Sequence, residues 1–197
     1  MSKRTVRVSA TTTFYTFAYL RSVSWACRQR AGQEVSGSNL FAASSMVFSA
    51  FSIEAYLNHL GTSLVEFWDT IERKLSPREK LDLLAGILRI ELDYGNRPFQ
   101  TFTKMFAFRN ALAHGRTESL TQDSLQVLSE DDVPDLPRTS WEEAISIDNA
   151  SRYLDDAKEI VLILNEKAGL EPGLLWTPGT AEYQIAPYQE LKDDADA

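Results

Sequence analysis

The chain has 197 residues, of which 44% are hydrophobic and 24% are charged, and its formal net charge is −8 at pH 7. These values are ordinary for a globular domain, so they exclude a wholly disordered chain, a collagen-like repeat and a coiled-coil composition. The single cysteine, Cys27, cannot form an internal disulfide. Nothing at the N-terminus resembles a secretory signal, so we expect a cytoplasmic protein.

Charge is distributed unevenly along the chain. Residues 1–33 carry six basic and no acidic side chains, whereas residues 117–197 carry five basic and nineteen acidic ones. Affinity for a polyanion comes mainly from Lys and Arg residues that displace counterions, so the chain as a whole is a poor general nucleic-acid binder. The basic N-terminal segment allows one local phosphate-facing patch. The alternative is a solvated surface with an acidic tail.

Apolar residues at helical spacing predict helices along most of the chain. In order, the predicted helices span residues 12–30, 40–60, 64–75, 77–90, 99–114 and 149–168. Gly61 is expected to end the second helix, Ser76 and Pro77 to begin the fourth, and Gly169 to end the last. Asp148 or Asn149 is expected to cap the last helix.

The second predicted helix is apolar on nearly every side, so we expect it to be the central buried helix of the fold. Its length would allow it to cross a bilayer. It contains Glu54, Asn58 and His59, however, which favours a buried helix of a soluble protein and no membrane span.

The fold class predicted from these elements is all-α: an up-and-down bundle of five or six helices with an inserted loop and an irregular C-terminal arm. The loop covers residues 117–140, where 124–128 reads as either a strand or a loop. Residues 1–168 are expected to form the helical domain. Residues 169–197 are expected to form the irregular arm, which ends in an acidic tip at Asp193, Asp194 and Asp196.

Several common sites are absent from the sequence. There is no phosphate-binding loop, no dinucleotide-binding glycine motif and no nucleophile elbow. One cysteine and two histidines, without His-Glu-x-x-His or Glu-x-x-His spacing, also disfavour a metal centre. We therefore expect no metal and no cofactor.

The segment 106–116, with the sequence FAFRNALAHGR, concentrates polar groups at the end of an aromatic helix. Asn110 and His114 are four residues apart and share a helical face, so the amide is placed to set the imidazole tautomer. Arg109 lies about 140° from His114 around an ideal helix, so the two side chains do not converge unaided. Either Arg109 reaches round the helix or a second copy of the chain supplies the partner.

This segment resembles the Arg-x4-6-His motif of the HEPN superfamily (higher eukaryotes and prokaryotes nucleotide-binding domains). Arg109, Asn110 and His114 fall on the arginine, the following polar residue and the histidine of that motif. The buried stretch 52–58 and the Trp141-Glu142 pair before the last helix add to the similarity with bacterial HEPN-like proteins. The resemblance covers roughly residues 12–168.

The resemblance implies an all-α homodimer, and many family members are metal-independent endoribonucleases whose motifs from both subunits face one cleft. His114 would take the proton from a ribose 2′-hydroxyl while its copy in the partner protonates the leaving oxygen. Arg109 would neutralise the phosphate in the transition state, Asn110 would orient the imidazole, and Arg116 would hold an adjacent phosphate.

Glu54 and Asn58 are predicted to be half-buried supporting residues, because they share an edge of the second helix with apolar positions. Buried polar groups need hydrogen-bond partners, and Arg109 or His114 is the expected one. Glu54 would then position the arginine, or the group would be only an internal clamp between two helices. His59 is expected at the surface or at a helix cap, and Cys27 in the core.

Two functions follow as expectations. The first is a dimeric endoribonuclease of a defence or toxin–antitoxin system, with RNA as substrate and an antitoxin or other protein as a further partner. The alternative is a noncatalytic HEPN scaffold that binds RNA, a nucleotide or a protein without cleaving it.

Overall fold

The computed structural model describes residues 4–33, 36–129 and 132–187. Within these ranges the body of the protein is helical, and the α-helices are α1 (Thr16–Ala31), α2 (Ser38–Leu64), α3 (Trp68–Ile71), α4 (Pro77–Leu88), α5 (Phe99–Ala113), α6 (Ser140–Glu143) and α7 (Ile147–Ala168). A 3-10 helix, Pro172–Trp176, follows α7. Residues 115–129 and 132–139 are irregular. Of the two alternatives predicted for residues 124–128, a strand or a loop, the structure therefore has the loop.

The predicted all-α fold class is wrong, because the chain also forms an antiparallel two-stranded sheet and is mixed α and β. Strand β1 (Val6–Phe14) pairs with β2 (Gly179–Pro187) in a register that runs from Val6 opposite Pro187 to Phe14 opposite Gly179. β2 lies in the arm that was expected to be irregular. The strands come from opposite ends of the chain, so no local turn motif signals their pairing. The acidic tip at 193–196 lies outside the described residues.

Helix α1 begins later than predicted, because residues 12–14 belong to β1. The β-branched run Thr11, Thr12 and Thr13 disfavours a helix and suits a strand. The backbone N–H of Tyr15 donates to Pro178 O at 2.8 Å, which ties the base of the strand pair to the start of α1.

Helix α2 is the centre of the fold, as predicted from the apolar residues on nearly all of its sides. Helices α1, α4, α5 and α7 all pack against it. Its fully buried side chains include Met46, Ile53, Tyr56, Leu57 and Leu60. Burying such side chains contributes roughly 1.5–3 kcal/mol each relative to exposure, so α2 supplies a large share of the apolar stabilisation.

By length and composition alone, α2 is apolar enough to cross a membrane, with a mean hydropathy of 1.4 over its most apolar 18-residue window. Half of that window is buried within the fold. Polar side chains of α2 also find partners on neighbouring helices: Ser24 Oγ on α1 lies 2.8 Å from Ser49 Oγ, and Ser52 Oγ donates to Phe17 O at 2.9 Å. These features are compatible with a soluble protein.

The predicted starts and ends of the other helices are partly confirmed. Ser76 and Glu79 form a reciprocal capping box, with Pro77 in the first turn of α4. Gly169 ends α7 in the left-handed conformation, with φ 66°. The cap of α7 is Ser146 instead of Asp148 or Asn149, since the Ser146 side chain accepts the Asn149 N–H at 3.0 Å.

Gly61 does not end α2, which continues for one more turn to Leu64. The glycine is needed for packing instead, because a Cβ at this position would lie 2.1 Å from Cε2 of the Trp68 ring. Trp68 is buried, and its indole rests directly on the helix backbone. The close approach of a large ring therefore explains a glycine inside a helix.

We predict that Gly61→Ala lowers the free energy of unfolding by about 1–3 kcal/mol, because the added methyl forces Trp68 out of its site. Gly86→Ala is the matched control, since a Cβ at Gly86 in α4 meets nothing within 4 Å. The control should raise the free energy of unfolding by roughly 0.5 kcal/mol through helix propensity. Urea unfolding of both variants measures the difference. Equal stabilities for the two would contradict this packing role.

Candidate functional site

The last turn of α5 carries the Arg–His motif and places its side chains in two environments. α5 ends at Ala113, and His114 is its C-terminal cap, with φ −117° and ψ 16°. Asn110, His114 and Arg116 are exposed, whereas Arg109 is partly buried. Within one chain, His114, the predicted acid–base group, and Arg109, the predicted transition-state cation, therefore have different surroundings.

The Arg109 guanidinium contacts α2. Its Nη2 donates a hydrogen bond of 2.5 Å to Glu54 Oε2, so the expected contact between Glu54 and the arginine of α5 is present. The ring centroids of Phe106 and Phe51 lie 5.2 and 5.8 Å from its Cζ, within the range of cation–π attraction. The Arg109 side chain is 17% exposed. A carboxylate and two aromatic rings thus hold the guanidinium.

Lys80 is a member of this site that the sequence analysis missed. Its Nζ donates to Asn58 Oδ1 at 2.8 Å and lies 3.7 Å from Glu54 Oε1. Only 5% of the Lys80 side chain is exposed. A signal was available, because Lys80 precedes Leu84 by four residues and so falls within the apolar stripe of α4.

We call Glu54, Asn58, Lys80 and Arg109 the polar cluster. It joins α2, α4 and α5 and contains two cations and one carboxylate, so its formal charge is positive. Asn58 was expected to pair with Arg109 or His114, but its oxygen accepts from Lys80 instead. The Nε of Arg109 is buried, and no hydrogen-bond partner for it lies in residues 4–33, 36–129 or 132–187.

The remaining motif residues do not converge on the polar cluster. The hydrogen bond between Asn110 and His114 is the helical one, from the His114 backbone N–H to Asn110 O at 2.9 Å, and across the described chain their side chains form none with each other. Arg116 lies in the irregular segment after α5, so it does not extend the helical face of Arg109. The roles predicted for Asn110 and Arg116 stay predictions.

His59, the second histidine, is half-buried on α2 instead of lying at the surface or at a cap. Its ring centroid is 5.0 Å from that of Phe17, 6.0 Å from that of Tyr15 and 6.2 Å from that of Tyr56. Burial among these rings lowers the pKa of His59 below its ordinary value of 6.5. Partial burial against aromatic rings thus disfavours the charged form of this imidazole.

A separate ion pair, between the exposed Arg97 and the buried Asp156, lies just before the start of α5. Asp156 on α7 is buried and accepts three hydrogen bonds from Arg97, of 2.6, 2.8 and 3.1 Å. These hydrogen bonds and the negative charge of Asp156 raise the pKa of Arg97. Because Arg97 stands two residues before Phe99, where α5 begins, the pair holds the start of α5 against α7.

In the described part of the chain, no group of three or more His, Cys, Asp or Glu side chains is placed to hold a metal ion. Cys27 is part-buried, and burial raises the pKa of its thiol.

Comparison of the chain with protein-family models, curated proteins and solved structures finds no match.

We predict that Glu54→Gln lowers the free energy of unfolding by about 1–3 kcal/mol, because Arg109 and Lys80 then lack their carboxylate. Arg109→Met should lower the free energy of unfolding less in the Glu54→Gln variant than in the wild type. This double-mutant cycle measures the coupling energy between Glu54 and Arg109, which we expect to be roughly 0.5–3 kcal/mol. Glu66→Gln, at an exposed carboxylate just after α2, is the control and should change little. Additive effects would contradict the coupling.

We also predict a pH dependence from His59. Its folded pKa is lowered, so the unfolded chain binds a proton first as the pH falls. Its destabilising effect is absent above the ordinary pKa near 6.5 and grows as the pH falls toward the folded pKa. Urea unfolding at about pH 7.5 and at about pH 5.5 should therefore show that the free energy of unfolding falls more between these two pH values for the wild type than for His59→Gln. Equal losses would show that His59 is not desolvated.

Proposed function

We propose that the chain is a HEPN-like, metal-independent endoribonuclease that acts as a homodimer. The observation that carries the proposal is the end of α5, where His114 is exposed and follows by five residues a guanidinium held by Glu54. An accessible imidazole can exchange protons with a ribose hydroxyl, and a fixed cation can stabilise charge that develops on a phosphate.

The mechanism requires a second chain because each chain offers one accessible imidazole. Cleavage by 2′-hydroxyl attack needs a base for the hydroxyl and an acid for the leaving oxygen. His59 is half-buried against the rings of Tyr15, Phe17 and Tyr56, and this burial lowers its pKa, so we do not assign it the second role. His114 from the partner copy completes the pair.

Glu54 acts in this proposal as a positioning residue for Arg109. An arginine has five N–H donors, and the hydrogen bond to Glu54 engages one of them. Lys80 adds a second positive charge beside Glu54, so the polar cluster keeps a net positive charge toward an approaching phosphate. RNA then reaches Arg109 through the part of its side chain that is exposed.

The charge of the chain sets a condition on this activity. The net charge of −8 opposes RNA binding in general, and residues 117–197 must face away from the bound strand. Arg28 and Arg30, near the end of α1, offer basic groups that can contact the phosphate backbone of RNA. We place the protein in the cytoplasm, in a defence or toxin–antitoxin system, where a protein partner such as an antitoxin restrains the nuclease.

A noncatalytic scaffold is the second candidate, and the pairing of Arg109 with Glu54 favours it. In that function the polar cluster is an internal clamp that joins α2, α4 and α5. In the described part of the chain the side chains of Asn110 and His114 form no hydrogen bond with each other, which agrees with a noncatalytic imidazole. RNA, a nucleotide or a protein would then be bound and not cleaved.

We predict that the purified protein cleaves labelled single-stranded RNA in EDTA and that His114→Ala reduces the rate by roughly 10²–10⁴-fold. His114 is exposed, so the variant should keep the wild-type unfolding curve. His59→Gln, which alters the other imidazole, is the control and should retain cleavage when assayed well below its unfolding temperature.

Two outcomes separate the candidates. Intact RNA with both wild type and His114→Ala, together with retained RNA binding, supports the scaffold and contradicts the nuclease. Cleavage that persists at the wild-type rate in His114→Ala also contradicts the nuclease, because the activity then does not use this imidazole.

A further inference from the structure

The two-stranded sheet has one apolar and one polar face. Residues directly opposite each other on antiparallel strands point to the same side of the sheet, and side chains alternate along each strand. The register therefore places on one face, here called the apolar ribbon face, the residues Val6, Val8, Ala10, Thr12 and Phe14 of β1 and Gly179, Ala181, Tyr183, Ile185 and Pro187 of β2. The other face carries Arg7, Ser9, Thr11, Thr13, Thr180, Glu182, Gln184 and Ala186.

The apolar ribbon face is exposed to solvent. Phe14 is 78% exposed and Tyr183 is 68% exposed. Val8 and Ile185, which pair directly across the strands, are also more than half exposed. An isolated two-stranded sheet is marginal in water, and stable sheets usually bury a hydrophobic face against further strands or a helix. Such alternation on an uncovered ribbon predicts a surface that is buried in an assembly.

The apolar surface continues from the ribbon onto the helical body. An open groove of about 580 Å³ lies at the base of the strands, where Phe14 and Ala181 meet Tyr15 and Tyr19. Tyr19 on α1 is exposed. The groove therefore adjoins the apolar ribbon face, because Thr12, Phe14, Gly179 and Ala181 belong to both, and Thr180 of the polar face also lines it.

We propose that the apolar ribbon face is the contact surface for a second copy of this chain. The two ribbons stack face to face about a twofold axis and form a small four-stranded sandwich. A twofold interface uses the same patch on both copies, so the patch must be complementary to itself. The apolar ribbon face meets this condition, because it has no charged residue and both copies present an extended, twisted surface of equal length.

Charge argues for a second copy over the chain's own C-terminal segment. Residues 188–197 contain four acidic side chains and one lysine, and burying those charges on an apolar face is unfavourable. The two copies each have a net charge of −8 and repel each other at long range. Contact through an uncharged face is therefore the arrangement that adds least repulsion.

The size of the surface sets the strength of the dimer. Nine residues per strand at about 3.4 Å each, with strands about 4.8 Å apart, make a face roughly 30 Å by 10 Å. This projected area, with the groove added, is smaller than the roughly 800 Å² per partner of a standard interface. Interfaces below the standard size are typical of weak or transient contacts, so we expect a reversible dimer.

The experiment is sedimentation velocity of the full chain, without RNA, over about 1–100 μM. The wild type should shift from monomer to dimer over this range. Tyr183→Lys, which places two like charges across the twofold axis, should raise the dissociation constant at least about 100-fold. Gln184→Lys is the matched control: it adds the same charge at the next residue of β2, on the polar face, and should dimerise like the wild type.

A second variant, Val8→Lys, tests the same face from β1 and keeps the result secure if Tyr183→Lys alters the strand pair. Circular dichroism should show wild-type helix content in all three variants, because the ribbon lies outside the helical core. A wild type that is monomeric throughout, with the face left bare or covered by another segment or protein, overturns the proposal. So does a dimer that persists in both Tyr183→Lys and Val8→Lys.

The proposal does not depend on RNA cleavage, and its failure is distinguishable from that of the nuclease. Dimerisation through the ribbon is measured on protein alone, whereas the nuclease is tested by His114→Ala. A dimer without cleavage supports the ribbon contact and contradicts the nuclease. Cleavage by a monomeric wild type contradicts both the ribbon contact and the paired-histidine mechanism.

Discussion

The ion pair between Glu54 and Arg109 is the constraint on which the candidate site depends. α2 is packed against α1, α4, α5 and α7, and its carboxylate Glu54 is only 28% exposed, so partners on the neighbouring helices stabilise its charge. Arg109 from α5 and Lys80 from α4 meet this need, so the requirement to satisfy one charge also orients two helices. The chemistry available at α5 follows from that orientation.

Pairing Arg109 with Glu54 leaves the two ends of the Arg–His motif in different environments. The arginine lies against α2, while the helix ends four residues later and leaves His114 in solvent. The nuclease proposal and the scaffold proposal share this geometry and differ in whether the imidazole meets a second copy of itself. A helical body of this kind can carry either function, because the difference lies in the assembled site and not in the fold.

The two-stranded sheet provides the surface through which we propose that two copies of the chain associate. Both strands are exposed at every residue but the first, and their side chains separate into a polar face and an apolar face that has no charge. The proposed dimer contact uses this uncharged face because copies with a net charge of −8 repel each other elsewhere. The ribbon lies at the start of α1 and the candidate site lies at the end of α5, so the two features can be altered independently.

The sequence by itself determined the local elements: the capping box at Ser76, the end of α7 at Gly169, the burial of α2, and the need of Glu54 for a partner on α5. These follow from apolar period, capping chemistry and burial, which act over a few residues. Only the tertiary structure decided that residues 6–14 pair with 179–187, that Gly61 receives the Trp68 ring, that Lys80 joins the polar cluster, and that Arg109 contacts Glu54 instead of reaching round its own helix. Each of these depends on groups distant in sequence or on helix orientation, and a local pattern carries no information about which surfaces meet once the chain closes on itself.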